Sequence, residues 1–257
     1  HGINQILMPT IQGSDIWKIS DRYDTYGKEM LRIVDRNNKE LLYGPTNEEM
    51  VTAIGKFLIK SHKMLPRYFF QIQSKFRDEI RPRFGVMRAR EFLMKDAYSF
   101  DKDEKSGELT YENFFRLYLR IFEKLGLKII PVRAPSGEIG GSLSHEFHLL
   151  IETGESKIFI DEIFLKSNYS ELKISEIKSI NSFTDELYES LSISQNLMQL
   201  KSTELGHIFL FGTKYSKSFD FKIDHENNKI FPFMGSYGIG ISRIPAAIIE
   251  ASNDENG

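Results

Sequence analysis

The chain has 257 residues, of which 40% are hydrophobic and 27% charged, and its formal net charge at pH 7 is −2. This composition is typical of a globular protein with one large domain or two small ones, and it excludes a strongly basic protein that binds nucleic acid over its whole surface. The absence of cysteine excludes disulfides and cysteine-based zinc sites, and since no apolar run is long enough to span a membrane, we expect a cytoplasmic protein with no membrane contact.

The first predicted elements are a short strand and a helix. The apolar run from Ile3 to Thr10 is closed by Pro9, which cannot donate a ladder hydrogen bond, so we predict a strand that ends there. Thr46 and Glu49 have the spacing of a capping box at the start of a helix. The apolar positions that follow at helical spacing are Met50, Val51, Ile54, Phe57 and Leu58. Glu48 has no part in this capping.

A hairpin rich in arginine is predicted around the stretch from Ser74 to Phe100. Before its turn, polar and apolar residues alternate, which predicts a strand with one buried apolar face and one solvent-exposed polar face. The polar positions are Gln71, Gln73, Lys75, Arg77 and Glu79, and the apolar ones are Phe70, Ile72 and Phe76. A turn containing Pro82 and Gly85 leads to a returning strand. On one face of that strand stand Arg88, Arg90, Phe92, Met94 and Asp96.

This hairpin brings Arg88 and Phe92 near Arg77 across the two strands. Guanidinium groups bind phosphate oxygens in bidentate fashion and an aromatic ring stacks on a base, so the arrangement suits a nucleoside polyphosphate. The alternative is a solvent-exposed face whose arginines are neutralised by nearby acids. Those acids are Asp78, Glu79, Glu91 and Asp96. The spacing alone leaves both interpretations open.

The second half of the chain begins with a predicted core helix. From Thr110 to Leu125 aromatic and aliphatic residues recur at helical spacing, and Gly126 is suited to end the helix. A buried strand is predicted from Leu127 to Val132. A Gly- and Ser-rich turn then leads to His145 and His148, whose spacing of three places them on opposite faces of a strand, so we expect no two-histidine metal site.

Polar sequence separates this region from the last predicted strands. Glu152 to Lys201 is rich in Ser, Glu, Lys and Asn. Within it, amphipathic pieces cover 171–180 and 183–191, and strands are predicted later within 204–216 and at 231–234. In the final stretch from Gly235 to Arg243, closely spaced glycines precede an arginine at a helix start, which leaves a backbone that a flat base can approach.

Several of these segments resemble the motifs of one enzyme family. Phe76-Arg-Asp-Glu79, followed after a loop by Arg88-Ala-Arg-Glu-Phe92, resembles motif 2 of the class II aminoacyl-tRNA synthetases, and its wider wording is similar to bacterial-type prolyl-tRNA synthetases. Gly2 and Pro9 match the end of motif 1, although the helix before that motif is missing. The other matches are GPTNEE with the TxE loop, GGSLSHEF with the GGSxSHEF segment, and GSYGIGISR with motif 3.

The resemblance implies an α+β catalytic fold with an antiparallel β-sheet flanked by helices. It divides the chain into a first part of the catalytic core (1–151), a mini-insertion (152–201) and a second part of the core (202–257). The insertion is too short for an independent editing domain, so we expect no editing here and a separate deacylase for alanyl-tRNA. Since the chain opens at His1 in front of a strand and stops at Gly257 after a helix, we expect a catalytic-core fragment.

The activity that the resemblance implies is ATP-dependent activation of L-proline to prolyl-adenylate, followed by transfer to the 3′ end of tRNA(Pro). Mg²⁺ is expected with ATP, its ligands being unknown, and a homodimer is expected for the full-length protein. Arg77 and Arg243 are the expected catalytic residues. The ATP site is assigned to Arg77, Glu79, Arg88, Phe92, Ser142 and Arg243. The proline site is assigned to Thr46, Glu48, Arg77, Met94, His145 and Ser236.

Three alternatives remain open at this point. One is activation of threonine or serine, although threonyl enzymes usually place cysteine and histidine zinc ligands in the pocket and this chain has no cysteine. Another is a synthetase-like binding module that has lost catalysis, although Arg77, Arg88 and Arg243 are all present. The third is a fragment that binds the substrates but acylates tRNA poorly.

Overall fold

The computed structural model describes residues 2–192 and 196–254. The residues outside this description are His1, residues 193–195 of the predicted mini-insertion, and residues 255–257. The strands are β1 Ile3–Gln5, β2 Ile11–Gly13, β3 Arg32–Val34, β4 Glu40–Tyr43, β5 Arg67–Phe76, β6 Glu91–Asp101, β7 Ile129–Arg133, β8 Leu143–Leu150, β9 Ser156–Ile160, β10 Ser182–Thr184, β11 Met198–Gly212, β12 Ile223–His225, β13 Asn228–Ile230 and β14 Phe233–Gly240. The helices are α1 Ser14–Ile19, α2 Arg22–Thr25, α3 Glu48–Leu58, α4 Glu104–Lys124, α5 Glu162–Leu165, α6 Ile174–Lys178, α7 Asp185–Ser190, α8 Lys214–Ser218 and α9 Ile244–Ser252.

One large sheet carries most of the strands. Its order is β1-β5-β6-β14-β11-β8-β7-β10-β9. The six strands from β5 to β7 in this order pair antiparallel, which confirms the predicted α+β fold with its antiparallel sheet flanked by helices. The outer pairings make the sheet mixed, because β1 is parallel to β5 and β10 is parallel to β7. A long connection separates the two strands of each parallel pair. The predicted pattern of local hairpins therefore did not include these two parallel pairings.

Helix α4 packs across one face of this sheet and forms the main core. Phe114 stacks on Tyr237 with ring centres 3.7 Å apart, and Tyr118 lies 5.4 Å from Phe147. The helix begins at Glu104, six residues before the predicted start, because the Asp103 carboxylate accepts a hydrogen bond from the backbone N–H of Ser106. Gly126 follows its end with φ +75°, as predicted.

The predicted hairpin is confirmed as β5 and β6, with Lys75 opposite Phe92. The prediction that its polar face is exposed was wrong. Gln71 and Lys75 are fully buried, whereas Ile72 on the other face is 47% exposed. The N-terminal segment covers the polar face, where the Met8 backbone N–H donates to Gln71 Oε1 at 3.0 Å. Alternation reveals which side chains share a face but not which face the rest of the chain covers.

The segment predicted as a mini-insertion joins the sheet. Strand β9 pairs with β11 as well as with β10, so β11, β8, β7, β10 and β9 form a closed ring of pairings. Ile158, Ile160 and Ile177 are fully buried in the core cluster that includes the aromatic residues of α4. Helices α6 and α7 lie within the two predicted amphipathic pieces. The boundaries at 152 and 201 stay a prediction.

None of the helices within the described residues combines the length and the apolar surface that crossing a membrane requires.

Candidate active site

A cavity of about 410 Å³ opens on the face of the sheet opposite α4. Nine of the predicted site residues line it: Thr46, Glu48, Arg77, Glu79, Arg88, Phe92, Met94, Ser236 and Arg243. They come from the start of α3, the β5–β6 hairpin and the β14–α9 segment, which are far apart in sequence. Gly238 and Gly240 also line the cavity, so its floor includes the glycine-rich backbone predicted to lie against a flat base.

Arg77 lies in the cavity wall without a carboxylate partner at ion-pair distance among the described residues. Its guanidinium carbon lies 5.3 Å from the centre of the Phe92 ring. Its Nη2 donates to the Pro45 carbonyl at 3.4 Å, and its Nε is buried without a hydrogen-bond partner. Among the residues that the structure describes, no carboxylate lies within 4.0 Å of it. A half-buried guanidinium in this state is suited to an incoming carboxylate or phosphate.

The alternative of a neutralised arginine face holds for the two neighbours of Arg77. Arg88 forms a two-pronged pair with Glu79, with N···O distances of 3.1 and 3.2 Å. Arg90 is more exposed and lies 3.5 Å from Asp78. The hydrogen bonds that Arg88 donates to the Glu79 carboxylate raise the pKa of Arg88. A phosphate that binds Arg88 therefore competes with the Glu79 carboxylate.

Glu48 is the buried carboxylate of the cavity, with 1% exposure. It accepts hydrogen bonds from Thr46 Oγ1 at 2.7 Å and from Ser236 Oγ at 3.0 Å. The predicted capping box was wrong, because α3 begins at Glu48 with Asn47 as its N-cap and without a side-chain cap. Thr46 bonds Glu48 instead, and Glu49 turns away from the cavity toward Arg22 at 3.0 Å.

Strand β11 supplies cavity residues that the sequence reasoning did not assign to the site. Arg243 Nη1 donates to the Glu204 backbone carbonyl at 2.7 Å and lies 3.5 Å from the Glu204 carboxylate. His207 stacks on Phe209 with ring centres 3.9 Å apart. Although burial opposes it, the hydrogen bond from His207 and the charge of Arg243 hold the pKa of Glu204 below its usual range. Alternation along β11 predicts that His207 and Phe209 share a face. Glu204 lines the same cavity because the strand register shifts between Glu204 and Gly206, and this shift has no signal in the alternation.

A comparison with protein families decides the identity of this fold. Residues 26–252 match the model of the tRNA synthetase class II core domain, which covers the enzymes for G, H, P, S and T. The chain belongs to the class II aminoacyl-tRNA synthetases. The fold predicted from the motifs is therefore confirmed for this synthetase core.

Curated relatives of the synthetase core are proline–tRNA ligases. The chain is 54% identical to the proline–tRNA ligase of Bartonella henselae over 273 residues, covering 100% of this chain and 62% of the relative. It is 52% identical to that of Rickettsia bellii over 261 residues, covering 100% of this chain and 60% of the relative. The chain thus spans about three fifths of the length of the curated relatives that it matches.

Solved structures with the same fold are prolyl-tRNA synthetases. The enzyme of Giardia lamblia, in complex with prolyl-adenylate, is 18% identical, with a TM-score of 0.76 over 100% of this chain and 43% of that chain. The enzyme of Cryptosporidium parvum, complexed with L-proline and AMP, is 17% identical, with a TM-score of 0.72 over 99% of this chain and 43% of that chain. At these identities the likeness shows the fold of the synthetase core.

Two predicted site residues of the synthetase core lie outside the cavity lining. His145 is buried on the α4 side of β8, where its Nδ1 lies 2.7 Å from the Tyr111 hydroxyl and its Nε2 lies 3.1 Å from the Ile177 carbonyl. Its neighbour Glu146 faces the cavity instead, because successive residues of a strand point to opposite faces. Ser142 precedes β8 and donates to the Leu210 carbonyl at 3.3 Å. His145 and Ser142 therefore do not join the nine predicted site residues that line the cavity.

His145 makes the stability of the synthetase core depend on pH. Burial lowers its pKa from 6.5 to about 3, so between these values the unfolded chain binds a proton that the folded chain does not. Stability is therefore lost as the pH falls. We expect the free energy of unfolding of the wild type to drop by about 3 kcal/mol more than that of His145→Phe between pH 7 and pH 4. Urea unfolding of both proteins at the two pH values measures this, and equal pH dependence would contradict it.

Proposed function

We propose that this chain is the catalytic core of a prolyl-tRNA synthetase. It activates L-proline with ATP to prolyl-adenylate and transfers the prolyl group to the 3′ end of tRNA(Pro). The observation that carries this proposal is 54% identity along the whole chain to a proline–tRNA ligase. The cavity supports it, because an unpaired guanidinium and a buried carboxylate complement the two charges of an amino acid.

Proline recognition is assigned to the two charged groups and their neighbours. Glu48 would receive the protonated secondary amine of proline in a charge-assisted hydrogen bond. Arg77 would hold the carboxylate and, next to it, the α-phosphate of ATP. The pyrrolidine ring would lie in the part of the cavity that includes Met94 and Phe209. His145 would act on this pocket only indirectly, through the packing of β8.

ATP recognition is assigned to the arginines and to Phe92. The adenine would lie between Phe92 and Arg243, and Glu79 would contact its edge. Arg88 would bind the γ-phosphate, and Ser142 would contribute from the loop before β8. This arrangement uses planar groups for the base and forked donors for the phosphates.

In the first reaction step, a proline carboxylate oxygen forms a bond to the α-phosphorus and the bond from that phosphorus to the bridging oxygen breaks, which releases pyrophosphate. In the second, the terminal ribose hydroxyl of the tRNA attacks the activated carbonyl and AMP leaves. The protein forms no covalent bond in either step. Its contribution is to position the reactants and to stabilise developing charge, with Arg77 and Arg243 as the catalytic residues.

Mg²⁺ is proposed to enter with ATP. Within residues 2–192 and 196–254 no cluster of three or more potential metal ligands is found. This fits an ion held by one or two carboxylates together with substrate phosphates. Glu146 and Glu204, both in the cavity lining, are the carboxylates that would hold it. The ion would offset the charge of the phosphates.

The remaining proposals concern the whole protein. A homodimer and a cytoplasmic location are proposed for the full-length enzyme. The segment 152–201 is proposed to lack editing activity, and a separate deacylase would then clear alanyl-tRNA. The alignment with the Rickettsia bellii ligase supports this, since it has 261 positions for the 257 residues of this chain and therefore leaves no room for an extra domain.

ATP–pyrophosphate exchange with each of the twenty amino acids, without tRNA, tests the proposed function. We expect exchange with proline and weaker exchange with alanine, because a pocket cannot strongly exclude a smaller side chain. Exchange only with threonine or serine would overturn the proline assignment. If the folded intact protein gives no exchange with any amino acid, the catalytic proposal fails and the binding-module alternative takes its place.

A further inference from the structure

Three buried charged residues lie behind the amine end of the cavity. Arg22 is 3% exposed, Glu48 is 1% exposed and Glu49 is 0% exposed. Arg22 lies within 4.0 Å of both carboxylates. Two carboxylates and one guanidinium leave one surplus negative charge among side chains that are almost fully buried in and behind the cavity wall. Buried charges are normally paired, so this surplus points to a cationic ligand.

The arginine is not shared equally between the two acids. Its Nη1 lies 3.0 and 3.2 Å from the oxygens of Glu49 but 3.3 Å from a single oxygen of Glu48. Ser20 Oγ donates to Glu49 at 2.7 Å. The other hydrogen bonds of Glu48 come from neutral hydroxyls, those of Thr46 and Ser236. Glu49 is therefore the main partner of Arg22, and Glu48 is the less completely paired of the two carboxylates.

Arg22 is held in this position by aromatic residues. Its Nη1 lies 3.0 Å from the Tyr215 hydroxyl, and its guanidinium carbon lies 5.0 Å from the Trp17 ring and 5.5 Å from the Tyr26 ring. The guanidinium cannot readily leave Glu49 for Glu48 while these rings enclose it. The geometry thus fixes which acid is neutralised.

Among the residues that the structure describes, no cation other than Arg22 forms an ion pair with Glu48. Lys75 pairs with Asp96 at 3.3 Å. Lys214 donates to the backbone carbonyls of Glu138 and Ile139. Arg77 stacks beside Phe92 and donates to the Pro45 carbonyl, and it is assigned to the proline carboxylate.

We infer that Glu49 is a positioning residue for the amine of the substrate: by occupying Arg22 it keeps Glu48 unneutralised, and the triad of Arg22, Glu48 and Glu49 selects a ligand with one positive charge at this point. This inference rests on the proposed function. Selectivity for a protonated amine then depends on the charge balance of the triad. Glu49, which turns away from the cavity, contributes to this selectivity together with Glu48, which contacts the amine.

The test compares two ligands of the intact protein by NMR titration. One is L-proline, and the other is tetrahydrofuran-2-carboxylate, which keeps the ring and the carboxylate but has an ether oxygen in place of the amine. In Glu49→Gln, Glu48 is the only one of the two carboxylates that remains beside Arg22, at 3.3 Å, so the pair has no surplus negative charge. Proline binding is therefore expected to weaken by about 10- to 100-fold, whereas binding of the ether is expected to stay the same. A folding defect would weaken both ligands.

A double variant separates charge balance from structure. Arg22→Gln combined with Glu49→Gln removes one charge of each sign and restores the single surplus negative charge. Proline affinity is expected to recover to within about 3-fold of the wild type, although two buried residues are changed. Glu112→Gln is the matched control, because Glu112 is also buried and pairs with an arginine, Arg116, at 2.7 Å away from the cavity. It is expected to bind both ligands as the wild type does.

Equal weakening of both ligands in Glu49→Gln, or a double variant that binds proline no better than Glu49→Gln, would overturn the inference. So would a wild type that binds the ether as well as proline. Failure of the proposed function looks different, since the wild type would then prefer proline over the ether in binding yet give no proline-dependent pyrophosphate exchange.

Discussion

Arg77→Ala is expected to reduce proline-dependent ATP–pyrophosphate exchange by about 1,000-fold or more. An arginine that stabilises the charge of a transferring phosphoryl group contributes on that scale, and Arg77 is assigned to both the proline carboxylate and the α-phosphate. Unlike Arg88 and Arg90, it forms no ion pair with a carboxylate among the described residues. Steady-state exchange kinetics on the intact protein measure the loss.

Arg90→Ala is the matched control for this experiment. Arg90 belongs to the same hairpin but is exposed and lies beside Asp78, so its loss is expected to change exchange by less than about 3-fold. The fold of Arg77→Ala should be retained, because the hydrogen bond that its guanidinium donates to Pro45 is long at 3.4 Å. A folded Arg77→Ala protein with wild-type exchange would remove Arg77 from the proposed mechanism.

The second large effect is expected for Arg243→Ala. Its guanidinium is assigned to one face of adenine and to the phosphates, so we expect exchange to fall by about 100-fold or more, with a higher KM for ATP. Binding of proline alone should not change, because Glu48 and Arg77 remain. Exchange at varied ATP concentration and a proline titration without ATP measure the two quantities separately.

Arg243→Lys shows which property of the side chain matters. Lysine keeps the positive charge but has no plane to stack on a base. We expect it to recover part of the lost kcat and little of the ATP affinity. If Arg243→Ala instead weakened proline binding and left the KM for ATP unchanged, the assignment of Arg243 to the nucleotide would be wrong.

The sequence was most informative where the chemistry lies within one local element. Arg77 and Phe92 were placed together because both belong to one hairpin, whose register follows from alternation and from the turn. The same alternation could not tell that the polar face of β5 is buried, because residues from Met8 to Asn47 cover it. Nor could it tell which face of β8 packs on α4. His145 was assigned to the proline pocket from the resemblance to the family, whereas the structure buries it beside Tyr111 and places His207 in the cavity lining.

Arg22 could not have been found from the sequence by the same reasoning. It lies 26 residues before Glu48, in a short helix without a functional motif, and contacts between such segments arise only when the chain folds. The pair Thr46 and Glu49 was misleading in a different way. Its spacing is ideal for a capping box, but burial of Glu49 beside Arg22 outweighs the roughly 1 kcal/mol that a cap contributes.

The closed ring of β11, β8, β7, β10 and β9 limits how this region can change in evolution or by design. If residues 156–184 were deleted, β7 and the first residues of β11 would lose their neighbours on one side. The backbone donors and acceptors along both would then be free to pair with another molecule, which is a route to aggregation. The segment is thus an integral part of the sheet, because its strands pair with β7 and β11. A larger domain fits this ring of pairings as an insertion in the connection between β9 and β10, with both strands retained.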